Sequence, residues 1–210
     1  MRYGLWLGML MLGIVGGAGA ADAVLKLPPP RLEGMSLMQA LKARHTAREF
    51  ADRPLPLQVL SDLLWAAGGV NRPESGKRTA PTARDWREID IYVTTAQGVQ
   101  VYDPASHSLR HVSEKDVRAQ TGRQDYPASA PLNLVYVADY ERMKDVDDAQ
   151  RDFYAATDTG FMAQNVYLFC ASAGLGCVVR GAVDREVLAM ALGLGTRQRI
   201  TLAQTIGYPR

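Results

Sequence analysis

Arg44, Thr46 and Arg48 occupy alternate positions in the stretch Arg44-His45-Thr46-Ala47-Arg48-Glu49-Phe50. An extended backbone there would aim all three side chains the same way. Two guanidinium forks and a hydroxyl offer charge-assisted hydrogen bonds at fixed angles, a donor set that suits a phosphate. The same residues would also serve as the charged end of a helix, where arginine is favourable against the C-terminal dipole. Taken alone, the pattern leaves both readings open. A second basic stretch, Ser75-Gly76-Lys77-Arg78-Thr79-Ala80-Pro81-Thr82-Ala83, lies within a long polar segment from Asn71 to Arg87. Loops of that length in compact domains are commonly functional or unstructured, so the segment fits an anionic ligand or plain solvent. The three histidines, His45, His107 and His111, are scattered, and no Cys/His spacing describes a zinc site. No metal is expected, and no side chain is assigned as catalytic.

The elements that must position these residues follow from periodicity and caps. Ser36 caps a helix to about Arg44 with Leu37, Met38 and Leu41 on one face, and Leu57, Leu60, Leu63, Leu64 and Ala67 mark a second that ends at Gly68-Gly69. Ile89, Ile91 and Val93 alternate with polar neighbours, and turns at Gln97-Gly98 and Asp103 to Ser106 make a meander of short strands. Ser113 with Asp116 opens a short helix ending at Gly122. Leu132 to Ala138 is nearly all apolar and reads as a central strand. Asp147 to Ala173 has the periodicity of one long helix. Its middle, Phe161 to Cys170, is apolar almost all round and is expected to be buried. Gly160 within it costs roughly 1 kcal/mol against alanine, which suits close backbone packing or a flat ligand. Gly174-Leu175-Gly176 stops this helix, Cys177 to Arg180 begins a strand, Asp184 caps a helix through Leu192, and Ile200 to Ile206 is a last strand. Helices and strands are segregated, so the class is α+β with a mixed, mainly antiparallel sheet.

At 210 residues the chain is one domain, and 24 Lys+Arg against 22 Asp+Glu leave a net charge of +2, which excludes the electrostatic footprint of a nucleic-acid binder. Arg2, the greasy run Leu5 to Val15 and the small-residue exit Ala18-Gly19-Ala20 describe a secretory signal cut after Ala20. The competing reading, an uncleaved anchor, suits the glycines and the small-x-small exit less well. The mature chain is therefore expected to be periplasmic or secreted, with no stable membrane insertion. Residues 1–20 are the signal, 21–35 an extended leader carrying Pro28-Pro29-Pro30, and 36–210 the domain. In an oxidising compartment Cys170 and Cys177 are candidates for a bridge, but their places in a helix and just beyond its exit favour two buried free thiols.

Five features occur in order: Arg44-x-Thr46-x-Arg48-x-Phe50, Ala80-Pro81-Thr82, Asp158-Thr159-Gly160 followed by Gln164-Asn165, Gly174-Leu175-Gly176, and Ile206-Gly207-Tyr208-Pro209. In these the chain resembles the FMN-dependent nitroreductases, most of all the branch that includes SagB-type dehydrogenase domains. The resemblance covers about Ser36 to Arg210. It implies a nitroreductase-like sandwich that forms an intertwined homodimer with one FMN in each of two interface clefts. By the family pattern, Arg44, Thr46 and Arg48 hold the flavin phosphate, ribitol and pyrimidine edge, with His45 contributing backbone. Pro81, Thr82 and Ala83 reach the flavin from the other subunit. Val179-Arg180-Gly181 lies along the isoalloxazine, where a backbone N–H bonds to N5, and Arg210 completes the phosphate site. If the Arg180 side chain also faces the ring, its charge favours the reduced flavin; the other reading is a solvent-facing strand arginine.

The activity implied is transfer of hydride or electrons, by ping-pong chemistry, between a donor and a small organic acceptor such as a nitro compound or quinone. The alternative is a non-catalytic flavin-binding or electron-relay protein of the periplasm. Relative to the family loop, Thr82 stands for serine, Asp85 for asparagine and Arg87 for glutamine. Asp85 and Arg87 either pair with one another or alter the substrate pocket, and Trp86 between them packs or stacks on a flat substrate. NADH and NADPH are kept inside cells, so an exported member requires another reductant, a partner protein, or a substrate that is itself oxidised.

Overall fold

The computed structural model describes residues 23–210; the expected signal, residues 1–20, lies outside the described residues. Strand β7 (Leu132–Asp139) is the spine: seven of its eight residues are buried, because both faces of the sheet are covered there. Its neighbours are β4 (Ile89–Thr95) on one side and β9 (Gln198–Gly207) on the other, both antiparallel. Beyond β4 come β5 (Gly98–Asp103), β6 (Ser108–Ser113) and β1 (Val24–Lys26), and beyond β9 the edge strand β8 (Gly176–Arg180). The order β1-β6-β5-β4-β7-β9-β8 is antiparallel at every step.

Alternation along β7 sorts the two cores. Leu134 and Tyr136 face helices α2 (Leu57–Gly68) and α4 (Asp148–Ala173), packing with Leu63, Leu64, Met162 and Val166. Val135 and Val137 face α5 (Arg185–Leu192), packing with Leu188, Leu192 and Ile200. The shorter helices are α1 (Leu37–Ala43), opened by a Ser36/Gln39 capping box, and α3 (Tyr126–Ser129). Asp184 caps α5 as expected, accepting from Val187 N–H, and Gly174 closes α4 with φ 67°; Asp147, expected as the first helical residue, is instead the N-cap and accepts from Gln150 N–H. Among the described residues no helix is long and apolar enough to cross a membrane.

Several expectations need amending. The middle of α4 is not buried all round: Phe161 is 44% exposed and Gln164 is exposed, so one stripe of the helix faces outward. A Cβ built on Gly160 meets nothing within 4 Å, so no backbone of this chain packs there. Leu37, Met38 and Leu41 share a face of α1, but it points away from the core, with Met38 73% exposed. The expected helix after Ser113 is only a short 3-10 turn, Arg118–Thr121, because Ser113 still belongs to β6. The Asn71–Arg87 segment has structure of its own: a hairpin of β2 (Val70–Arg72) and β3 (Lys77–Arg78), then a tight turn over Ala83–Asp85.

The leader is extended, and β1 within it joins the sheet while Leu27 enters the core at 4% exposure. Buried Asp62 accepts from the Arg31 N–H and guanidinium. His107, whose pKa burial lowers, bonds Ser61 Oγ through Nε2 and Tyr102 OH through Nδ1, and its Nε2 also lies 3.1 Å from the Pro28 carbonyl.

Candidate functional site

The Arg44–Phe50 stretch is neither helix nor sheet but runs along the open edge of β8. Helix α1 ends at Ala43, and Arg44 leaves it with φ −57° and ψ 121°, which turns the chain into an extended path. Ala47 N–H donates to the Cys177 carbonyl at 3.0 Å, docking the stretch on the strand. Phe50 forms an antiparallel bridge with Pro209, and Ala51 N–H donates to the Tyr208 carbonyl at 2.8 Å. That pairing carries Arg210 back toward Glu49 and Arg48.

Tyr167 of α4 ties the pieces together, and nothing in its spacing singled it out. Its hydroxyl lies 3.2 Å from Thr46 Oγ1 and accepts from Val179 N–H at 3.0 Å, while the Arg44 guanidinium sits 5.3 Å from its ring centroid. A phenol that is apolar on its flank and polar at its tip can join helix, loop and strand in this way. Among the described residues, neither Arg44, Arg48 nor Arg210 forms an ion pair with a carboxylate. None of the three is thus neutralised by a carboxylate, which leaves a donor set for a di-anion. His45 is exposed, and its Nδ1 lies 2.9 Å from the Ala43 carbonyl.

Arg180 does neither of the two things its sequence suggested. Its side chain points through the sheet, is 6% exposed, and makes no contact with the edge where Arg44 lies. Nε donates to the Thr121 carbonyl at 3.0 Å, while Nη2 donates to Thr121 Oγ1 at 2.8 Å and to Asn133 Oδ1 at 2.9 Å. Nη1 reaches Thr205 Oγ1, and burial lowers the guanidinium pKa. Strand alternation explains the direction: Val179 faces α4, so Arg180 must face the other side. The N–H of Val179 is already taken by Tyr167, whereas Gly181 is exposed beyond the end of β8.

Pro81, Thr82 and Ala83 are not part of this cluster within one chain. Ala83 N–H donates to Asp158 Oδ2 at 2.8 Å. Asp158 and Tyr167 are nine residues apart on α4, about 13 Å of rise and two and a half turns, hence on opposite sides of the helix. Asp85 and Arg87 pair with one another, at 2.9 and 2.7 Å, lowering the aspartate's pKa. Trp86 packs edge-on against Tyr154 at 5.6 Å, with the Arg84 guanidinium over its ring. Cys170 and Cys177 are buried free thiols; burial raises the Cys170 pKa, and Cys177 Sγ accepts from Gln204 Nε2.

Comparison with known proteins bears on this arrangement. The model of the Nitroreductase family matches residues 41–208. A protein of Methanocaldococcus jannaschii assigned as a nitroreductase is 34% identical over 174 residues, 78% of this chain and 87% of that protein. A crystal structure from Ralstonia eutropha JMP134, also assigned as a nitroreductase, shares 45% identity and a TM-score of 0.86, covering 92% of each chain. The NADPH-flavin oxidoreductase of Vibrio harveyi is 34% identical over 114 residues, 49% of this chain and 48% of that protein.

Proposed function

The chain belongs to the nitroreductase family, and from that premise we propose that it is an FMN-dependent oxidoreductase. It would pass hydride or electrons from a donor to a small organic acceptor of the nitro or quinone type. The observation that carries this reading is the meeting of Arg44, Thr46, Tyr167 and Val179 beside the uncommitted Arg48 and Arg210. Such a set of groups fits a phosphate-bearing ring system: cations for the phosphate, hydroxyls for a polyol, and strand backbone along a flat face.

When bound, the flavin supplies the redox chemistry, and the protein's part is binding, orientation and electrostatics. Arg44, Arg48 and Arg210 are assigned to the phosphate end, and Thr46 to the polyol. Tyr167 is a positioning residue that fixes both Thr46 and Val179. Arg180 and Gly181 contribute backbone only, since the Arg180 side chain is engaged beneath the sheet. Pro81, Thr82 and Ala83 complete the cleft from a second subunit in a homodimer. The outward apolar side chains of α1 and α4, Leu37, Met38, Leu41, Phe153 and Phe161, supply the matching face. We assign the chain to the SagB-type side of the family and place it in the periplasm or outside the cell. A donor other than a free nicotinamide follows from that location.

Purified protein is expected to take up FMN, turn yellow, bleach with a chemical reductant and recover with a quinone or nitroaromatic. Replacing Arg44 and Arg48 together by alanine should weaken FMN binding by at least a hundredfold, about 3 kcal/mol, because two charge-assisted contacts are removed. A wild-type protein that takes up no FMN would overturn the reading, and unchanged retention in the double variant would overturn the site.

A further inference from the structure

Thr82 and Ala83 rest on two acids that are shut away from water. Glu88 has no exposed surface and Asp158 is 2% exposed. Thr82 Oγ1 donates to Glu88 Oε2 at 3.0 Å and accepts from Arg87 N–H at 3.0 Å, while Ala83 N–H donates to Asp158 Oδ2. Each acid therefore holds one of two consecutive residues of the turn. Glu88 Oε1 is buried and has no donor in the ionised state. Anchoring consecutive residues sets the Asp158 carboxyl beside Glu88 as a like-charged neighbour. Two carboxylates only accept, so they cannot bond each other; one proton between them gives the orphaned oxygen its partner.

Among the described residues neither acid forms a salt bridge, and from β3 the Arg78 guanidinium reaches the Ile89 carbonyl instead. On the turn, Arg87 is bound to Asp85 and Arg84 lies over Trp86. On the segment after β7, Arg142 is bound to Asp90 of β4 and to Asp139. From α4, Asp158 and the uncharged Tyr154 face the turn. The turn is also strained, since Arg84, Asp85 and Arg87 hold φ of 49°, 56° and 54°, a region that L-residues enter at a cost. A strained turn keeps such a path only while its anchors hold.

We propose that Glu88 and Asp158 share a single proton, and that this proton fastens the Thr82–Ala83 turn in the position from which it meets the cofactor. Glu88 is then a positioning residue. Losing the proton leaves two like charges in a dry pocket, and the turn, tied to both, is the part free to move. Burial and the neighbouring Asp158 raise Glu88 to about 7, which sets the release near neutrality. The inference rests on the assignment of Pro81–Ala83 to the flavin.

The test uses the full mature chain and two readouts from about pH 5.5 to pH 8.5, spanning the titration. The first is FMN affinity. In the wild type it should fall roughly tenfold as pH rises, and in Glu88→Gln, whose amide donates a hydrogen without titrating, it should stay level. The second needs no flavin: the rate of tryptic cleavage after Arg84 and Arg87, taken as the wild-type to Glu88→Gln ratio at each pH, should climb with the same midpoint. Should Glu88→Gln fail to fold, Asp158→Asn serves in its place. Cleavage that titrates in a protein that never binds FMN would sink the flavin assignment and leave the clamp standing. A level cleavage ratio, with or without flavin binding, would overturn the clamp.

Discussion

A guanidinium without a carboxylate partner, Arg180, is held below β8 by Thr121, Asn133 and Thr205. Removing it deletes four hydrogen bonds and leaves the Thr121 carbonyl without its donor, so Arg180→Ala should lower stability by about 2–4 kcal/mol in a denaturant titration. Because the side chain faces away from the proposed flavin edge, the flavin potential of any folded Arg180 variant should match the wild type, as potentiometry would show. Glu88 makes a second prediction at this scale. Its pKa is raised in the folded state, so its contribution is complete below the ordinary glutamate range. That contribution falls as pH rises through about 7 and is level beyond. Glu88→Gln should flatten the fall in melting temperature across that window. Of these residues, the alternating Arg44, Thr46 and Arg48 were legible because chain neighbours define their pattern. Tyr167 and Glu88 were not, since their partners, Thr46, Val179 and Asp158, lie far off in sequence and only packing brings them near.

At the scale of elements, caps and breakers were read well: Ser36, Gly174 and Asp184 end or begin helices where their local chemistry requires. What periodicity could not give is the side to which an apolar face turns. The stripe of α1 was visible and α4 was read as apolar all round, yet which side either turns outward depends on the neighbours the sheet supplies. The leader is a similar case, because pairing of β1 with β6 joins residues more than eighty positions apart. Its hold is testable. Asp62→Ala removes the acceptor for the Arg31 backbone and guanidinium and should cost about 1–2 kcal/mol. Limited proteolysis should then cut first between residues 23 and 35, with the remaining core resisting longer.

For the molecule as a whole, the candidate cleft is divided. One chain brings Arg44, Thr46, Tyr167 and Val179 together but carries Thr82 and Ala83 to the opposite side of α4. Dimerisation through α1 and α4 would rejoin the two parts. A lysine at Met38 together with one at Phe161, both outward-facing, should halve the mass seen by sedimentation and abolish FMN retention. A full-mass dimer in that double variant would exclude this face.

The docking of Ala47 on Cys177 has another side. The segment proposed to grip the flavin phosphate is also the cover over the outer edge of β8, where Cys177-Val178-Val179 is an apolar run ready to pair with a foreign strand. Whatever loosens Arg44–Phe50 uncovers that edge. Solubility should therefore follow cofactor loading: emptied protein, concentrated and warmed, would turn turbid and gain cross-strand signal before it melts, whereas loaded protein would stay clear.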